Sequence, residues 1–187
     1  IQLIGEEVDE AYITAASQIS LSSARDVNIA YTPLHGTGTT SISKVMKHLG
    51  FTVHDDPKTV IQSGEFENIT FNIPNPEVIQ SFETSLEFAR QGNFDLLLSS
   101  DPDADRFGVM VKHNNEWVFL NGNQIASILA NYAAARLKTP GTGVMVKTVV
   151  TTDLLARICE KNSLQLVDGL LIGFKYIADV MNKLEAD

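Results

Sequence analysis

Short apolar runs alternate with segments of helical periodicity along the chain. The apolar runs 27–31, 94–99 and 143–150 predict buried strands. The shorter runs 51–54 and 164–167 predict a weak strand and a short strand. Apolar residues at helical spacing predict helices over 6–19, 41–50, 75–92, 122–137 and 174–184, with another that begins at Thr152 or Asp153. Strands that alternate with helices are typical of an α/β fold, so we expect mixed, mainly parallel sheets flanked by helices.

Turn-forming residues refine two of these elements. The pair Asn114-Asn115 separates the apolar stretches 107–111 and 117–120 and predicts a β-hairpin. The sequence Asn75-Pro-Glu77 predicts the start of a helix, with asparagine as the N-cap and proline in the first turn.

The length of the chain and its loops favour two domains. At 187 residues the chain can form one large domain or two small ones, each with a core. The loop after Asn121 is the best boundary by pattern, which gives predicted domains over 1–120 and 121–187. Because Ile1 is not methionine and the chain opens within a helical pattern, we expect it to be part of a longer protein.

Charge and cysteine content restrict the partners and the compartment. Lys+Arg 14 against Asp+Glu 23 gives a net charge of −9, which repels nucleic acid and anionic membranes. No apolar run approaches the length of a membrane span, so we predict neither partner. The single cysteine, Cys159, lies in a helical pattern, which predicts buried packing and fits a reducing, cytoplasmic compartment.

The candidate chemistry follows the apolar run 94–99 directly. There Asp101, Asp103 and Asp105 stand at alternate positions, and Arg106 closes the motif. Three carboxylates this close together repel one another, which a fold tolerates when a cation holds them. Oxygen ligands at this density favour Mg²⁺ over Mn²⁺ or Ca²⁺. The neighbouring arginine indicates that an anionic group such as phosphate approaches the metal.

Other loops also carry aspartates after a strand or at alternate positions. An EF-hand would have glycine and glutamate at the sixth and twelfth positions from Asp101, where this chain has Arg106 and Lys112, so that interpretation fails. A dehalogenase-type phosphotransferase could use Asp101 and Asp103, although Ala104-Asp-Arg106 does not fit its pattern. An Asx-rich turn needs fewer carboxylates than this loop contains.

Two further groups of residues are candidates for ligand contact. In Tyr31-Thr-Pro-Leu-His-Gly-Thr-Gly38, two glycines stand at a strand-to-helix turn, which fits either a phosphate cradle or an ordinary tight turn. His35 of this segment is a catalytic or orienting group, or a capping histidine. Lys147 ends an apolar strand, where α/β folds place ligands. Lys175 begins a helix, where a positive charge opposes the helix dipole. Lysines at such positions are also common on solvated surfaces.

Together these motifs resemble the α-D-phosphohexomutase superfamily of phosphoglucomutases and phosphomannomutases. The resemblance rests on Asp101-Pro-Asp-Ala-Asp-Arg-Phe-Gly-Val109, Tyr31–Gly38, Pro74-Asn-Pro-Glu77 and Gly122-Asn-Gln124, in the form seen in bacterial phosphoglucomutases. It implies that 1–120 is the second of four domains and carries the metal loop. It implies that 121–187 is the third domain, truncated at its C-terminal end.

The resemblance also implies a chemistry. A phosphoserine of the first domain would exchange a phosphoryl group with a sugar, so that hexose 1-phosphate and hexose 6-phosphate interconvert through a bisphosphorylated intermediate. Mg²⁺ would be held by Asp101, Asp103 and Asp105, and Arg106 would be the catalytic residue that stabilises the transferring group. The residues implied to contact the sugar phosphate are His35, Lys147, Gly173 and Lys175.

Several landmarks of the superfamily are absent from this sequence. They are the Ser/Thr-Ala-Ser-His-Asn-Pro loop that carries the phosphoserine, the Gly-Glu-Glu-Ser-Gly-like sugar loop and the Arg-x-Ser-Gly-Thr phosphate clamp. Ile172 also stands where the family often has threonine. We therefore expect the chain to need the first and fourth domains of the same protein and to be inactive alone. Two alternatives stay open: a non-catalytic metal- or phosphosugar-binding module, and a dehalogenase-type phosphatase.

Overall fold

The computed structural model describes residues 5–186, which form two compact α/β units. One unit ends at Asn121 and the other begins at Gly122. The predicted fold class, mixed and mainly parallel sheets flanked by helices, is confirmed. The expectation that the chain opens within a helix falls on Ile1, which lies outside the described residues.

The first unit is built on a five-stranded sheet with the strand order β2-β1-β3-β4-β5. Its strands are β1 (Asn28–Thr32), β2 (Thr52–Asp55), β3 (Leu96–Ser100), β4 (Phe107–His113) and β5 (Glu116–Leu120). β1 pairs in parallel with β2 and β3, whereas β3–β4 and β4–β5 are antiparallel. The carboxyl ends of β1 and β3 therefore lie side by side at one edge of the sheet, where open α/β sheets place their ligands.

Helices cover both faces of this sheet. α2 (Ile42–His48) packs on one face and α3 (Glu83–Gln91) on the other, whereas α1 (Glu6–Ser17) packs against α2. Short 3₁₀ turns lie at Thr37–Thr40, Thr70–Asn72 and Ile79–Phe82. Successive strand residues point to opposite faces, so Ala30 and Leu97 pack with Ala89 of α3, while Tyr31 packs with Ile42 of α2. Central strands buried on both faces explain why the sequence shows continuous apolar runs rather than alternation.

The structure corrects one helix boundary and confirms a turn. The helix predicted to start at Asn75 begins only at Glu83, because Val78 has extended backbone angles (φ −104°, ψ 116°) and a 3₁₀ turn follows it. The predicted hairpin turns at Asn114 and Asn115, with φ of 50° and 64°. Positive φ at both residues is the geometry that a two-residue hairpin loop of right-handed twist requires.

The second unit contains two parallel strands and three helices. They are β6 (Val144–Thr148), β7 (Gln165–Leu170), α4 (Gly122–Ala134), α5 (Leu154–Asn162) and α6 (Phe174–Ala186). Cys159 is buried, as predicted, and its sulfur lies 3.7 Å from that of Met145. Burial raises the pKa of its thiol. Within residues 5–186, no helix combines the length and the apolar character that a bilayer crossing requires.

The register between β6 and β7 contains a bulge. Val146 pairs with Val167 and Thr148 with Leu170, so the single residue Lys147 stands opposite two residues, Asp168 and Gly169. Gly169 accommodates the extra residue with a φ of 77°. The bulge brings Asp168 next to Lys147, which matters for the chemistry of this unit.

Candidate functional site

The loop at the end of β3, residues 101–106, gathers the carboxylates of the first unit, and we call it the aspartate loop. Asp101, Asp103 and Asp105 each offer a carboxylate oxygen, and these oxygens all lie within 4.8 Å of one another. Asp101 is buried, with 1% of its side chain exposed, whereas Asp103 and Asp105 are exposed. Ala104 adopts a left-handed φ of 64° within this sharp turn.

Arg106 holds the aspartate loop closed around Asp101. Its backbone amide donates to Asp101 Oδ1 at 2.9 Å, and its guanidinium Nε donates to Asp101 Oδ2 at 2.8 Å. Burial alone would raise the pKa of Asp101, but these two hydrogen bonds, with smaller contributions from Asp103 and the arginine charge, lower it overall. Asp101 is therefore ionised, and each of its oxygens keeps a lone pair for a further partner.

The three carboxylates fit a hard divalent cation. The charge of Asp103, followed by slight desolvation and the charge of Asp101, raises the pKa of the exposed Asp105, which is the expected result of like charges held close together. All three groups supply oxygen only, the donor type that Mg²⁺ and Mn²⁺ prefer. The loop thus contains more negative charge than Arg106 offsets, and a bound cation would neutralise the excess.

The glycine-rich segment after β1 supports this loop by close packing. A Cβ atom on Gly36 would lie 2.2 Å from Pro102 Cα, and one on Gly38 would lie 2.0 Å from the Tyr31 hydroxyl. Thr37 donates to the Pro102 carbonyl from both its amide (2.9 Å) and its hydroxyl (3.1 Å). Gly36 therefore allows the turn after β1 to touch the aspartate loop directly, and Gly38 allows it to pack on Tyr31 and Ser100 below that loop.

The buried side chain of Tyr31 fixes the end of strand β3. Its hydroxyl hydrogen-bonds with Ser100 Oγ at 2.7 Å, in the interior directly before Asp101. Burial, partly offset by the hydrogen bond to Ser100, raises the pKa of Tyr31 to about 12, so the phenol is protonated at neutral pH. Because Ser100 is the last residue of β3, this contact fixes the point at which the aspartate loop begins.

The turn at Asn75 reaches the arginine of the loop. Asn75 Oδ1 accepts a hydrogen bond from the amide of Glu77 at 3.0 Å and one from Arg106 Nη1 at 3.5 Å. The carbonyl of Pro76 lies so close to β4 that a Cβ atom on Gly108 would approach it within 2.3 Å. The side chain that predicts a helix cap therefore orients Arg106 instead.

His35 is buried beside the loop, with 3% of its surface exposed. Its Nδ1 bonds to the carbonyl of Ile61 at 2.7 Å, and its Nε2 lies 3.5 Å from Asn68 Nδ2. It also lines a cavity of about 330 Å³, together with Gly36, Thr37, Gln62, Ser63, Gly64, Phe66 and Pro102. Since Pro102 belongs to the aspartate loop, this cavity adjoins the candidate metal site.

Lys147 is the buried cation of the second unit, with 3% of its side chain exposed. Its ammonium lies 2.9 Å from Asp168 Oδ1, 3.1 Å from Asp153 Oδ1 and 3.1 Å from the carbonyl of Thr151. The hydrogen bond to Asp168 raises the pKa of Lys147. Burial opposes this shift, but the hydrogen bond to Asp153 and the charges of both aspartates leave the pKa raised. The hydrogen bond between Lys147 and Asp168 also lowers the pKa of Asp168. Lys147 is therefore charged and fully occupied by groups of its own chain.

Gly173 and Lys175 lie at the start of α6. Gly173 has a φ of 128°, a conformation that side chains rarely adopt, and it turns the chain into the helix. Lys175 is exposed, and its ammonium lies 5.0 Å from the ring centroid of Tyr176. Within the described residues, no hydrogen bond or ion pair joins Lys147 to either of them.

Several supporting residues were missed by the sequence reasoning. The sequence pattern marks Asn75 only as a helix cap and Asp153 only as a possible helix start, and it gives Asp168 no role. Periodicity carries no signal for them, since each acts through a partner distant in sequence or across a bulge. The motif around Asn75 did point to its importance, but not to its contact with Arg106.

Models of one protein family match almost the whole chain. Residues 10–115 match the model described as "Phosphoglucomutase/phosphomannomutase, alpha/beta/alpha domain II", and residues 121–187 match the one for domain III. The two matches meet near the boundary between the two compact units.

Individual relatives agree with this assignment. The chain is 33% identical over 184 residues to a Haemophilus influenzae protein named "Probable phosphomannomutase", covering 97% of this chain and 37% of that protein. It is 29% identical over 170 residues to a Staphylococcus aureus phosphoglucomutase, covering 86% of this chain and 29% of that protein. The chain thus spans about a third of the length of the curated relatives it matches.

Solved structures share the fold. A phosphoglucomutase/phosphomannomutase family protein from Burkholderia thailandensis superimposes with a TM-score of 0.73 at 15% identity, covering 94% of this chain and 36% of that one. At this identity the likeness establishes the architecture alone.

Proposed function

Because the chain belongs to the phosphoglucomutase/phosphomannomutase family, we propose that it is the second domain and part of the third domain of a Mg²⁺-dependent phosphohexomutase. The enzyme interconverts hexose 1-phosphate and hexose 6-phosphate through a phosphoserine and a bisphosphorylated sugar, and we favour phosphoglucomutase among its members. Residues 1–120 carry the metal loop, and residues 121–187 contribute contacts to the sugar phosphate. The phosphoserine belongs to another domain of the same protein.

One observation carries this proposal: three carboxylates converge within 4.8 Å beside an arginine that is held in place. In the proposed site Asp101, Asp103 and Asp105 hold Mg²⁺, which, when bound, stabilises negative charge on a transferring phosphoryl group. The buried Asp101 supplies the fixed ligand, and the two exposed aspartates complete the oxygen donor set.

Arg106 supplies a directed positive charge. Asp101 holds its Nε, and Asn75 lies 3.5 Å from its Nη1, so the plane of the guanidinium is set before any ligand arrives. Its Nη2 has no hydrogen-bond partner among residues 5–186, and half of the side chain is exposed. A phosphoryl oxygen can therefore accept a hydrogen bond from Nη2 without displacing an existing contact, and prior orientation makes such electrostatic stabilisation effective.

The remaining proposed contacts concern the sugar phosphate. His35 lines the cavity next to Pro102, and its position supports a role in shaping that cavity. In the second unit Lys147, Gly173 and Lys175 are proposed to meet the substrate. Lys147 has buried charge, and Gly173 has a φ of 128° that gives the turn into α6 a backbone conformation which residues with side chains rarely adopt.

A coupled assay of isomerisation tests the proposal. The full-length protein that contains this chain should convert glucose 1-phosphate to glucose 6-phosphate in the presence of Mg²⁺, and an Asp103→Ala variant should lose that activity. The 187-residue chain alone should turn over no substrate. Binding without turnover by the full-length protein would instead support a binding module, and release of inorganic phosphate would support a dehalogenase-type phosphatase.

We also propose that the protein acts in the cytoplasm together with domains I and IV of the same chain. The single cysteine, buried and unpaired, supports a reducing compartment.

A further inference from the structure

All three hydrogen-bond donors of the Lys147 ammonium already have partners within the chain, unlike those of a lysine with an open ligand site. An ammonium group has three N–H donors, and here three oxygens surround it: Asp168 Oδ1, Asp153 Oδ1 and the Thr151 carbonyl, at 2.9, 3.1 and 3.1 Å. The cluster of one cation and two carboxylates has a net charge of −1. An anion that approaches Lys147 therefore meets an occupied and negatively charged site.

The three partners are not equally fixed. The Thr151 oxygen belongs to the backbone. Asp168 lies in the bulge of β7, and its Oδ1 also accepts a hydrogen bond from the amide of Gly169 at 2.5 Å. Asp153 is different: 94% of its side chain is exposed, and its contact with Lys147 is the one bond that holds its carboxylate among residues 5–186.

Asp153 also occupies a position that suits an anion. It is the N-cap residue of α5, yet its side chain makes no capping hydrogen bond. The first turn of a helix carries free amides and a partial positive charge, so a carboxylate or a phosphate near it is stabilised. A ligand anion at this point would interact with both the helix end and Lys147.

We propose that, without ligand, the carboxylate of Asp153 occupies the position on the Lys147 ammonium that the phosphate group of the ligand binds. When phosphate binds, it displaces Asp153, while Asp168 keeps the ammonium in position. This inference rests on the proposed function, since it gives a mechanism for binding a sugar phosphate at Lys147. It makes Asp153 an intramolecular competitor that tunes the affinity of this subsite.

The expected change in phosphate affinity follows from the repulsion between the Asp153 carboxylate and an incoming phosphate. Two unit charges about 4 Å apart in water interact by an amount that corresponds to roughly a fivefold change in binding constant. Removing the Asp153 charge should therefore tighten phosphate binding roughly fivefold. This tightening of phosphate binding requires Lys147, because Asp153 and phosphate compete for its ammonium group.

The experiment titrates inorganic phosphate into the ¹⁵N-labelled 187-residue chain and follows the backbone amides of Thr151 and Gly169. Asp153→Asn should bind phosphate roughly fivefold more tightly than the unmodified chain, and Asp153→Ser provides a second replacement without the charge. Lys147→Met, which roughly preserves volume, should lose the binding, and the double variant Lys147→Met/Asp153→Asn should be as weak as Lys147→Met.

Asp179→Asn is the matched control. It removes one carboxylate from the same unit, where Asp179 pairs with Lys183 at 2.6 Å on the exposed face of α6, and it should leave phosphate affinity unchanged. Equal affinity in Asp153→Asn and the unmodified chain overturns the inference, as does tightening that persists without Lys147. So does the absence of any phosphate-dependent shift in all variants. Isomerisation is not measured here, so this result and the test of the mutase activity can fail independently.

Discussion

Gly36 lies so close to the aspartate loop that one added methyl group tests how the loop is supported. Its backbone angles, φ −96° and ψ −166°, are open to any residue, so alanine is not barred by conformation. The obstacle is steric, because the new Cβ would lie 2.2 Å from Cα and 2.5 Å from O of Pro102. Both atoms belong to the backbone and cannot rotate away.

The cost follows from the overlap. Carbon atoms pack favourably at about 3.5–4.0 Å, so Gly36→Ala must move the turn after β1 or the aspartate loop by more than about 1 Å. Overpacking of this kind costs about 1–3 kcal/mol, and a clash with backbone belongs at the upper end. With a denaturant slope of about 2 kcal/mol per molar urea, a loss of about 3 kcal/mol lowers the unfolding midpoint by roughly 1.5 M.

Tryptophan fluorescence can follow the urea unfolding of the first unit. Trp117 is the single tryptophan and lies in β5, so its fluorescence follows the unfolding of the first unit. Affinity for Mn²⁺ at the aspartate loop should fall at least roughly tenfold, as when a group that orients metal ligands is lost. Gly64→Ala is the control, because nothing lies within 4 Å of its added Cβ, and it should change neither quantity.

An unchanged urea midpoint in Gly36→Ala would refute the packing described for Gly36 and Pro102. A lowered midpoint with intact Mn²⁺ affinity would keep the packing but refute its role in positioning the carboxylates. We expect both a lower urea midpoint and a lower Mn²⁺ affinity in Gly36→Ala, and neither change in Gly64→Ala.

Two further predictions concern the first unit. Leu97→Ala removes a fully buried side chain from β3 and should lower the free energy of unfolding, measured in urea, by about 3 kcal/mol through lost burial and the cavity it leaves. Burial raises the pKa of Tyr31 from 10.0 to about 12, so the folded state keeps this proton to a higher pH than the unfolded state. The contribution of the protonated phenol to the free energy of unfolding is therefore complete below pH 10 and falls by about 3 kcal/mol as the pH rises to 12. Tyr31→Phe should abolish this alkaline loss, whereas replacement of the exposed Tyr12 by Phe should retain it.

Much of the fold could be predicted because its signals are local. The hairpin at Asn114-Asn115 was correct because both residues tolerate the positive φ that the turn requires. The buried strand before Asp101 was correct because a strand covered on both faces is apolar throughout. The helix predicted to start at Asn75 begins eight residues later, at Glu83. The cap pattern does not reveal that the Asn75 side chain contacts Arg106.

The parts that could not be predicted depend on distant contacts. The glycines at 36 and 38 were ambiguous between a cradle and a tight turn, since their purpose lies in the approach of Pro102 and of the Tyr31 hydroxyl. The pairing of Lys147 with Asp168 depends on a bulge in strand register, which no local pattern encodes. Sequence reasoning thus located the charges but not the contacts that hold them.

The central claim is that the aspartate loop is a cation site, and paramagnetic Mn²⁺ tests it most directly. Added to the ¹⁵N-labelled chain, Mn²⁺ should broaden the backbone amides of residues 101–106 first, and Asp103→Asn should remove that selectivity. The exposed acidic residues Glu6, Glu7 and Asp9 in the first turn of α1 form an internal comparison, because they offer carboxylates without this convergence. Broadening that is equal at α1 and at the loop, or unchanged in Asp103→Asn, would contradict the account.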